Sequence, residues 1–204
     1  MKKFFPLAFV TVCVFGFFAG QIVLDLINTN ASLSTKEKAK YEFISKSFND
    51  LKLQGIEKQQ IFKMNEVDQP IVVLNFWASW CTPCLKEFPS LHQLKQKLGS
   101  ENIRVFAVNG DDKNLGKAVE DVQKKLKQKL NLDFVKDSSK LLEKYKINSL
   151  PTTLTFVNGK LIEFKIGLKD FTEEQYIKTL RSQIKSVKSK STKSAPSKPL
   201  KANS

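Results

Sequence analysis

The sequence predicts an α/β fold built on one central mixed sheet, and three observations support that class. The run IVVLNFW, Ile71–Trp77, is apolar without alternation, as expected of a strand covered on both faces. A helical pattern and a second apolar run, Ile103–Val108, follow it, which indicates parallel strands joined by a helix. Near the end, Asn158-Gly159 separates two strand-like runs, and this dipeptide favours an antiparallel hairpin.

The segments before the first buried strand are predicted to be short. Ser34 and Glu37 form a capping-box pattern that opens a short amphipathic helix. Its apolar positions recur with a helical period at Tyr41, Ile44 and Phe48. The stretch around Gly55 is typical of two short strands.

The helices after that strand are predicted from apolar stripes. The first begins at Thr82 and ends at Gly99, and the second carries apolar residues from Leu115 to Leu130. LDFV indicates a short strand and Ser138–Ile147 a further helix. After the hairpin, Thr172 and Gln175 form a second capping box, which opens a last helix. The predicted order is β-α-β-α-(β)-α-β-β-α.

The two ends of the chain differ from its centre in composition. Residues 1–27 carry two lysines, Lys2 and Lys3, directly after Met1, and then an apolar run of about 21 residues, enough to cross a bilayer. They predict an uncleaved signal-anchor in the cytoplasmic membrane, with the domain on the extracytoplasmic side. The alternative is a cleaved signal peptide and a soluble periplasmic protein. Residues 28–47 are predicted as a juxtamembrane helix or linker, 48–185 as the folded domain, and 186–204 as a disordered tail.

The formal net charge of +14 is unevenly placed. From Arg181 onward there are seven Lys or Arg and no acidic residue, so half of the excess (7 of 14) lies near the C-terminus. The rest is spread over the chain without outlining a patch. Because nucleic-acid binding needs clustered basic residues on a folded face or a binding motif, no nucleic-acid partner is predicted.

Two of the three cysteines, Cys81 and Cys84, follow directly behind the first buried strand. Zinc would need two more ligands, and only Cys13, in the apolar N-terminal run, and the single histidine His92 remain. A structural disulfide gains little from closing so short a loop. Redox exchange fits the placement, because Cys81 lies at a helix N-terminus, where unpaired N–H groups favour a thiolate. Cys84, one turn later, is placed to attack a mixed disulfide.

The motif WASWCTPC, the LPTT at Leu150–Thr153 and the element order resemble the thioredoxin superfamily. Within it, the sequence is similar to the membrane-anchored, extracytoplasmic TlpA/ResA/DsbE-like thiol–disulfide oxidoreductases, from about Phe48 to about Ile184. The resemblance implies a thioredoxin fold, with a central mixed sheet flanked by helices. It implies a redox-active disulfide between Cys81 and Cys84, with no other cofactor and no metal.

The resemblance also implies roles for individual residues. Cys81 is the exposed nucleophile, Cys84 the resolving thiol, and Glu87 a partly desolvated carboxylate that accepts the resolving thiol's proton. For Glu87 the alternative is a solvated helix face. Pro151 corresponds to a cis-proline that packs against the disulfide. Cytoplasmic thioredoxins carry a buried Asp where this chain has Asn75. The residues expected to contact substrate are Trp80, Thr82, Pro83, Leu150, Pro151 and Thr152.

The predicted function is an anchored reductase of disulfides in exported proteins, with apocytochrome c as one candidate substrate. A membrane electron donor would re-reduce the couple. A thiol oxidase or isomerase is the enzymatic alternative. A peroxiredoxin-like activity is less favoured, because the sequence lacks a Pro-x-x-x-Thr-x-x-Cys pattern. A redox-inert binding module with a basic tail is the non-enzymatic alternative, and the intact Cys-x-x-Cys argues against it.

Overall fold

The computed structural model describes residues 34–57, 59–111 and 114–193. The predicted anchor, residues 1–27, and the end of the predicted tail, residues 194–204, lie outside these ranges. Among the described residues, no helix is both long enough and apolar enough to cross a membrane. The chain divides between Lys40 and Tyr41, within the first described helix, and apart from the first turns of that helix the fold below is that of the unit that begins at Tyr41.

Seven strands form one mixed sheet. In chain order they are β1 (Lys52–Gly55), β2 (Ile61–Lys63), β3 (Ile71–Trp77), β4 (Ile103–Asn109), β5 (Asp133–Lys136), β6 (Thr152–Val157) and β7 (Lys160–Ile166). Their order across the sheet is β2-β1-β5-β4-β3-β6-β7. Strand β4 runs parallel to β3 and β5, while the other neighbouring pairs are antiparallel. This arrangement confirms the predicted mixed sheet and its closing hairpin.

Five α-helices accompany the sheet: α1 (Thr35–Ser47), α2 (Thr82–Leu98), α3 (Leu115–Leu126), α4 (Leu141–Lys144) and α5 (Glu174–Lys193). The capping box predicted for α1 is present, since Glu37 N–H donates to Ser34 Oγ and Ser34 N–H to Glu37 Oε2. Helix α2 begins after Cys81 and ends at Gly99, as its apolar stripe predicts.

The core lies on both faces of the sheet. Side chains from α2, α3 and α5 pack on one face, and side chains from α1 and α4 pack on the other. On the first face, Trp77, Phe88 and Phe134 meet edge to face, with ring centroids 5.2–5.8 Å apart. All seven residues of β3 are buried, which explains why its sequence shows no alternation.

Three helix lengths differ from the prediction. Helix α3 ends at Leu126 rather than near Leu130, because Lys127 adopts a left-handed conformation with φ of 50°. Helix α4 begins only at Leu141, where the Asp137 carboxylate accepts the Leu141 and Leu142 N–H groups. Helix α5 continues to Lys193, so residues 186–193 are helical where the sequence predicts disorder. A helix already formed extends at little cost through Lys, Ser and Val.

Truncation of Phe88 tests the aromatic contact between α2 and the sheet. Phe88 is fully buried, so Phe88→Ala should lower the free energy of unfolding by about 3–5 kcal/mol. Phe43→Ala removes the same atoms from a side chain that is 52% exposed, and should cost about 1 kcal/mol. Urea unfolding of both variants measures the difference, and equal losses would contradict the assigned core.

Candidate active site

Cys81 and Cys84 form a disulfide at the N-terminus of α2. Cys81 is the N-cap residue of the helix, and its Sγ accepts a hydrogen bond from the Cys84 N–H at 3.3 Å. Pro83 lies in the first helical turn, where a missing N–H costs no intrahelical bond. Helix α2 therefore presents the Cys84 N–H and the positive end of its dipole to a sulfur, which favours a thiolate at Cys81 in the reduced form.

The two sulfurs are less accessible than the resemblance implies. Cys81 is only 3% exposed and Cys84 is fully buried, so the expectation of an exposed Cys81 is wrong for the disulfide form. Both residues pack within the apolar core on the α2 face of the sheet. Of the two residues, only Cys81 retains any exposed surface. Of the two cysteines, Cys81 is therefore the one that a molecule in solution could reach.

Glu87 is buried, not solvated. It is 1% exposed, three residues beyond Cys84 on the same helix face. Its Oε2 accepts a hydrogen bond from Asn75 Nδ2 at 2.8 Å, and its Oε1 accepts one from the Lys169 backbone N–H at 2.7 Å. Loss of hydration raises the pKa of the Glu87 carboxyl, while the two donors and the charges of Lys169 and Lys165 oppose that rise. A carboxyl with a raised pKa beside a thiol is suited to proton transfer.

Asn75 supports Glu87 from the central strand. In β3 it lies opposite Thr153 of β6, and its Nδ2 donates to Thr153 Oγ1 at 2.9 Å as well as to Glu87. Both residues are buried. The sequence identified Asn75 only as a departure from the Asp of cytoplasmic thioredoxins. The structure assigns it a role of its own, since an amide can donate to the carboxylate where an ionised Asp would repel it.

The Leu150–Pro151 peptide bond is cis, as the resemblance implies. Strand β6 begins at the next residue, Thr152, which pairs with Phe76 near the end of β3. The turn before β6 therefore lies at the sheet edge from which the chain leads to Cys81. Pro151 is buried and Leu150 half-buried. The Thr152 hydroxyl donates to the Ser149 carbonyl at 2.7 Å, and this bond closes the turn across the cis-proline.

The other predicted contact residues lie at the surface. Trp80 is 70% exposed, and Thr82 and Pro83 are also exposed. Leu168 was not predicted, although it is 53% exposed. The preceding residue, Gly167, donates its N–H to the Pro151 carbonyl at 2.8 Å. This bond places Leu168 near the cis-proline turn. Its signal in the sequence is weak, because a single exposed leucine is common.

Asp111, in the loop after β4, was also missed. It is 8% exposed, and its Oδ2 accepts a hydrogen bond from the Ser79 N–H at 2.6 Å. A second bond, from the Gly110 N–H to the Trp77 carbonyl, joins the same loop to the last residue of β3. The segment that leads to Cys81 is thus fastened to the end of the neighbouring strand.

Within the described residues, no group of His, Cys, Asp and Glu is arranged to hold a metal ion. His92 is half-buried, and its Nδ1 accepts a hydrogen bond from the Asn131 N–H at 2.9 Å. The bond joins α2 to the loop before β5, so His92 has a structural contact that explains its placement.

Comparison with known proteins places this site in a family. The sequence profile of the AhpC/TSA family matches residues 44–164. The chain is 33% identical over 105 residues to the thiol-disulfide oxidoreductase ResA of Bacillus cereus (strain ZK / E33L). It is 35% identical over 112 residues to the sporulation thiol-disulfide oxidoreductase A of Bacillus subtilis (strain 168). These alignments cover 51% and 50% of the chain, and 58% and 66% of the two relatives, less than two thirds of either.

Solved structures agree with the fold. A putative thiol:disulfide interchange protein DsbE from Chlorobium tepidum is 26% identical, with a TM-score of 0.51, over 67% of this chain and 91% of that one. The exposed lipoprotein thioredoxin Etrx1 from Streptococcus pneumoniae strain TIGR4 is 28% identical, with a TM-score of 0.50, over 65% and 98%. The mixed sheet flanked by helices is therefore a thioredoxin-like fold, as the motif and element order predicted.

The burial of Glu87 predicts a pH dependence of folding in the oxidised chain, where neither Cys81 nor Cys84 titrates. Because burial raises the Glu87 pKa, the folded chain holds this proton more tightly than the unfolded chain does. Stability should therefore fall as pH rises from the unfolded value of about 4.3 through the higher folded value. Glu87→Gln should lack this fall, which urea unfolding at a series of pH values would measure.

Glu173→Gln provides the matched control, because that carboxylate is exposed. Its stability curve should keep the wild-type slope over the same pH range. A Glu87→Gln curve parallel to the wild-type curve would show that the buried carboxylate does not carry the effect.

Proposed function

We propose, since the chain belongs to the AhpC/TSA family and within it to the TlpA/ResA/DsbE-like group, that it is an extracytoplasmic thiol–disulfide oxidoreductase. The observation that carries the proposal is the Cys81–Cys84 disulfide at the N-terminus of α2, with the buried Glu87 on the same helix face. A structural disulfide has no need of a buried ionisable neighbour. A redox couple that exchanges protons with every turnover does.

The forward reaction begins with the reduced couple. The Cys81 thiolate attacks one sulfur of a substrate disulfide, which forms a mixed disulfide and releases the other substrate sulfur as a thiolate. Cys84 then loses its proton and attacks the Cys81 sulfur. The second substrate sulfur leaves, and the Cys81–Cys84 disulfide forms. The substrate gains two electrons, which the couple loses. Because Cys81 enters as a thiolate, the couple gives up one proton, that of Cys84, and solvent supplies the other proton that the two substrate thiols need.

Glu87 serves the second of these attacks. Cys84 is fully buried, so bulk water is poorly placed to take its proton. The Glu87 carboxylate lies on the same helix face and accepts that proton as a general base. Its raised pKa helps, because a carboxylate with an ordinary pKa is too weak a base to compete for a thiol proton near neutral pH.

Net reduction is the proposed direction, with disulfides in exported proteins as substrates and the cysteines of apocytochrome c as one candidate. A membrane electron donor would then return the couple to the dithiol. An oxidase or isomerase would use the same residues, so the direction is tested by equilibrium. The full chain, in detergent, is titrated against glutathione redox buffers, and a strongly reducing couple is expected. A couple as oxidising as glutathione disulfide would favour the oxidase or isomerase.

The order of attack predicts different outcomes for the two cysteine variants. Cys81→Ser should abolish reduction of a disulfide substrate such as insulin, because no other described thiol reaches the surface. Cys84→Ser should keep a reactive thiol and accumulate mixed disulfides, detectable by mass spectrometry. Alkylation of this variant against pH should show Cys81 titrating below about 8.5. Faster alkylation of Cys84 in the Cys81→Ser variant would reverse the assigned roles.

The proposed location rests on residues 1–27, and deletion tests it. The full chain should be found with the membrane, and a chain that lacks residues 1–27 in the soluble fraction. Deletion of residues 194–204 is the control and should leave the chain at the membrane, since each lysine near an anionic leaflet contributes only about 1 kcal/mol. Salt-resistant membrane binding without residues 1–27 would contradict this location.

A further inference from the structure

The loop between β7 and α5 supplies one of the two hydrogen bonds that Glu87 receives. The donor is the Lys169 backbone N–H, 2.7 Å from Glu87 Oε1. A backbone donor in a loop is only as well placed as the loop itself, because no helix or strand ladder fixes it. What holds residue 169 in position therefore decides how well Glu87 is held.

The Lys169 side chain turns inward and fixes this loop. It is only 10% exposed, and its Nζ pairs with Glu163 of β7. The same Nζ lies 3.5 Å from the centroid of the Tyr176 ring of α5 and 5.4 Å from that of Phe171. An ammonium over an aromatic face and beside a carboxylate is held in one place by two attractions.

The partners of Lys169 are themselves fixed. The Tyr176 hydroxyl bonds with Thr155 Oγ1 of β6 at 2.9 Å, and Thr155 Oγ1 also lies 3.4 Å from Glu163 Oε2. Burial raises the pKa of Tyr176 above its ordinary value, so the ring stays a neutral phenol through the physiological range. The cluster of Glu163, Lys169, Tyr176 and Thr155 thus ties the loop to two strands and a helix.

We infer that Lys169 is a positioning residue for Glu87. Its side chain fixes the loop, and the loop holds the Lys169 backbone N–H where it donates to the carboxylate. The inference rests on the proposed function for its catalytic consequence, because Glu87 matters to exchange only if the couple is used. Lys169 itself touches no reacting sulfur. Its side chain points into the cluster, while its backbone faces the carboxylate.

The charges around Glu87 allow this role to be separated from simple electrostatics. The positive charges that oppose the rise of the Glu87 pKa are those of Lys169 and Lys165. Strand β3 contributes the neutral Asn75, whose Nδ2 also donates to the neutral Thr153 of β6. Lys165 is exposed on β7, so its removal deletes a nearby positive charge without altering the cluster that anchors the loop. Lys165→Met is therefore the matched control for Lys169→Met.

The direct test is nuclear magnetic resonance on the oxidised full chain in detergent micelles. In the wild type, the amide proton of residue 169 should shift with pH along with the ¹³C signal of the Glu87 carboxyl, because the two groups share a hydrogen bond. In Lys169→Met, the pH-dependent shift of that amide should fall to half or less, and the Glu87 midpoint should move to higher pH. Lys165→Met should keep the full amide shift.

A kinetic readout follows the resolving step. In Lys169→Met, release of the second substrate thiol from the mixed disulfide should slow by about three- to tenfold at pH 7. That is a fraction of the about 10²–10⁴ that a positioned general base contributes. The rate profile should move to higher pH, while alkylation of Cys81 stays unchanged. Glu163→Gln, which keeps Lys169 but breaks its ion pair, should change both readouts in the same direction by less, and it serves if Lys169→Met folds poorly.

The outcomes separate this inference from the proposed function. A residue-169 amide that titrates with wild-type amplitude in Lys169→Met, or equally reduced amplitudes in Lys169→Met and Lys165→Met, would overturn the positioning role. A wild-type chain that exchanges no disulfide would overturn the proposed function, while the amide titration would still report whether Lys169 positions Glu87. A reduced amide titration amplitude in Lys169→Met but not in Lys165→Met, together with slower release of the second substrate thiol, supports both the positioning role and the proposed function.

Discussion

Burial of the Glu87 carboxylate is the constraint on which the arrangement of the site depends. A carboxylate removed from water is unfavourable unless hydrogen-bond donors replace the lost hydration. Here one donor comes from Asn75 on the central strand and the other from the backbone at residue 169. These two bonds fix α2 against the sheet and against the loop after β7. Because Cys81 and Cys84 lie in the same helix segment, holding the carboxylate also holds the sulfurs.

The topology of the sheet brings the remaining parts together. Strand β3 is central, and its antiparallel partner β6 begins where β3 ends. The residues that follow β3 and those that precede β6 therefore meet at one edge, although they are far apart in the chain. Pro151 suits the position just before β6, because a residue without an N–H cannot serve inside a strand ladder. The Cys81 segment and the cis-proline turn are thus neighbours through strand order alone.

Local patterns predicted the parts of the structure that depend on local physics. The apolar run of β3, the stripe of α2 and the Asn-Gly hairpin each follow from periodicity or turn chemistry, and Cys81 at the helix start follows from them. Lys169 could not be predicted, since the N–H that reaches Glu87 belongs to its backbone and its side-chain partners, Glu163 and Tyr176, lie on other elements. The early end of α3 is similar, because a lysine such as Lys127 rarely adopts a left-handed conformation. The burial of Cys81 could not be predicted from its own segment, because it depends on side chains of other elements that pack on the same face of the sheet.

In the proposed mechanism, the same desolvation that raises the pKa of Glu87 also sets the order of events at the sulfurs. Cys84 is fully buried beside it, while Cys81 retains a small exposed surface next to the exposed Trp80. Under the proposed function, a substrate therefore forms its mixed disulfide with Cys81, and Cys84 acts from within. A water-filled site would give Cys84 ready access to solvent and to substrate, and would return the Glu87 pKa toward its ordinary value. Base strength and the order of attack thus have one physical origin, the apolar packing of α2 on the sheet.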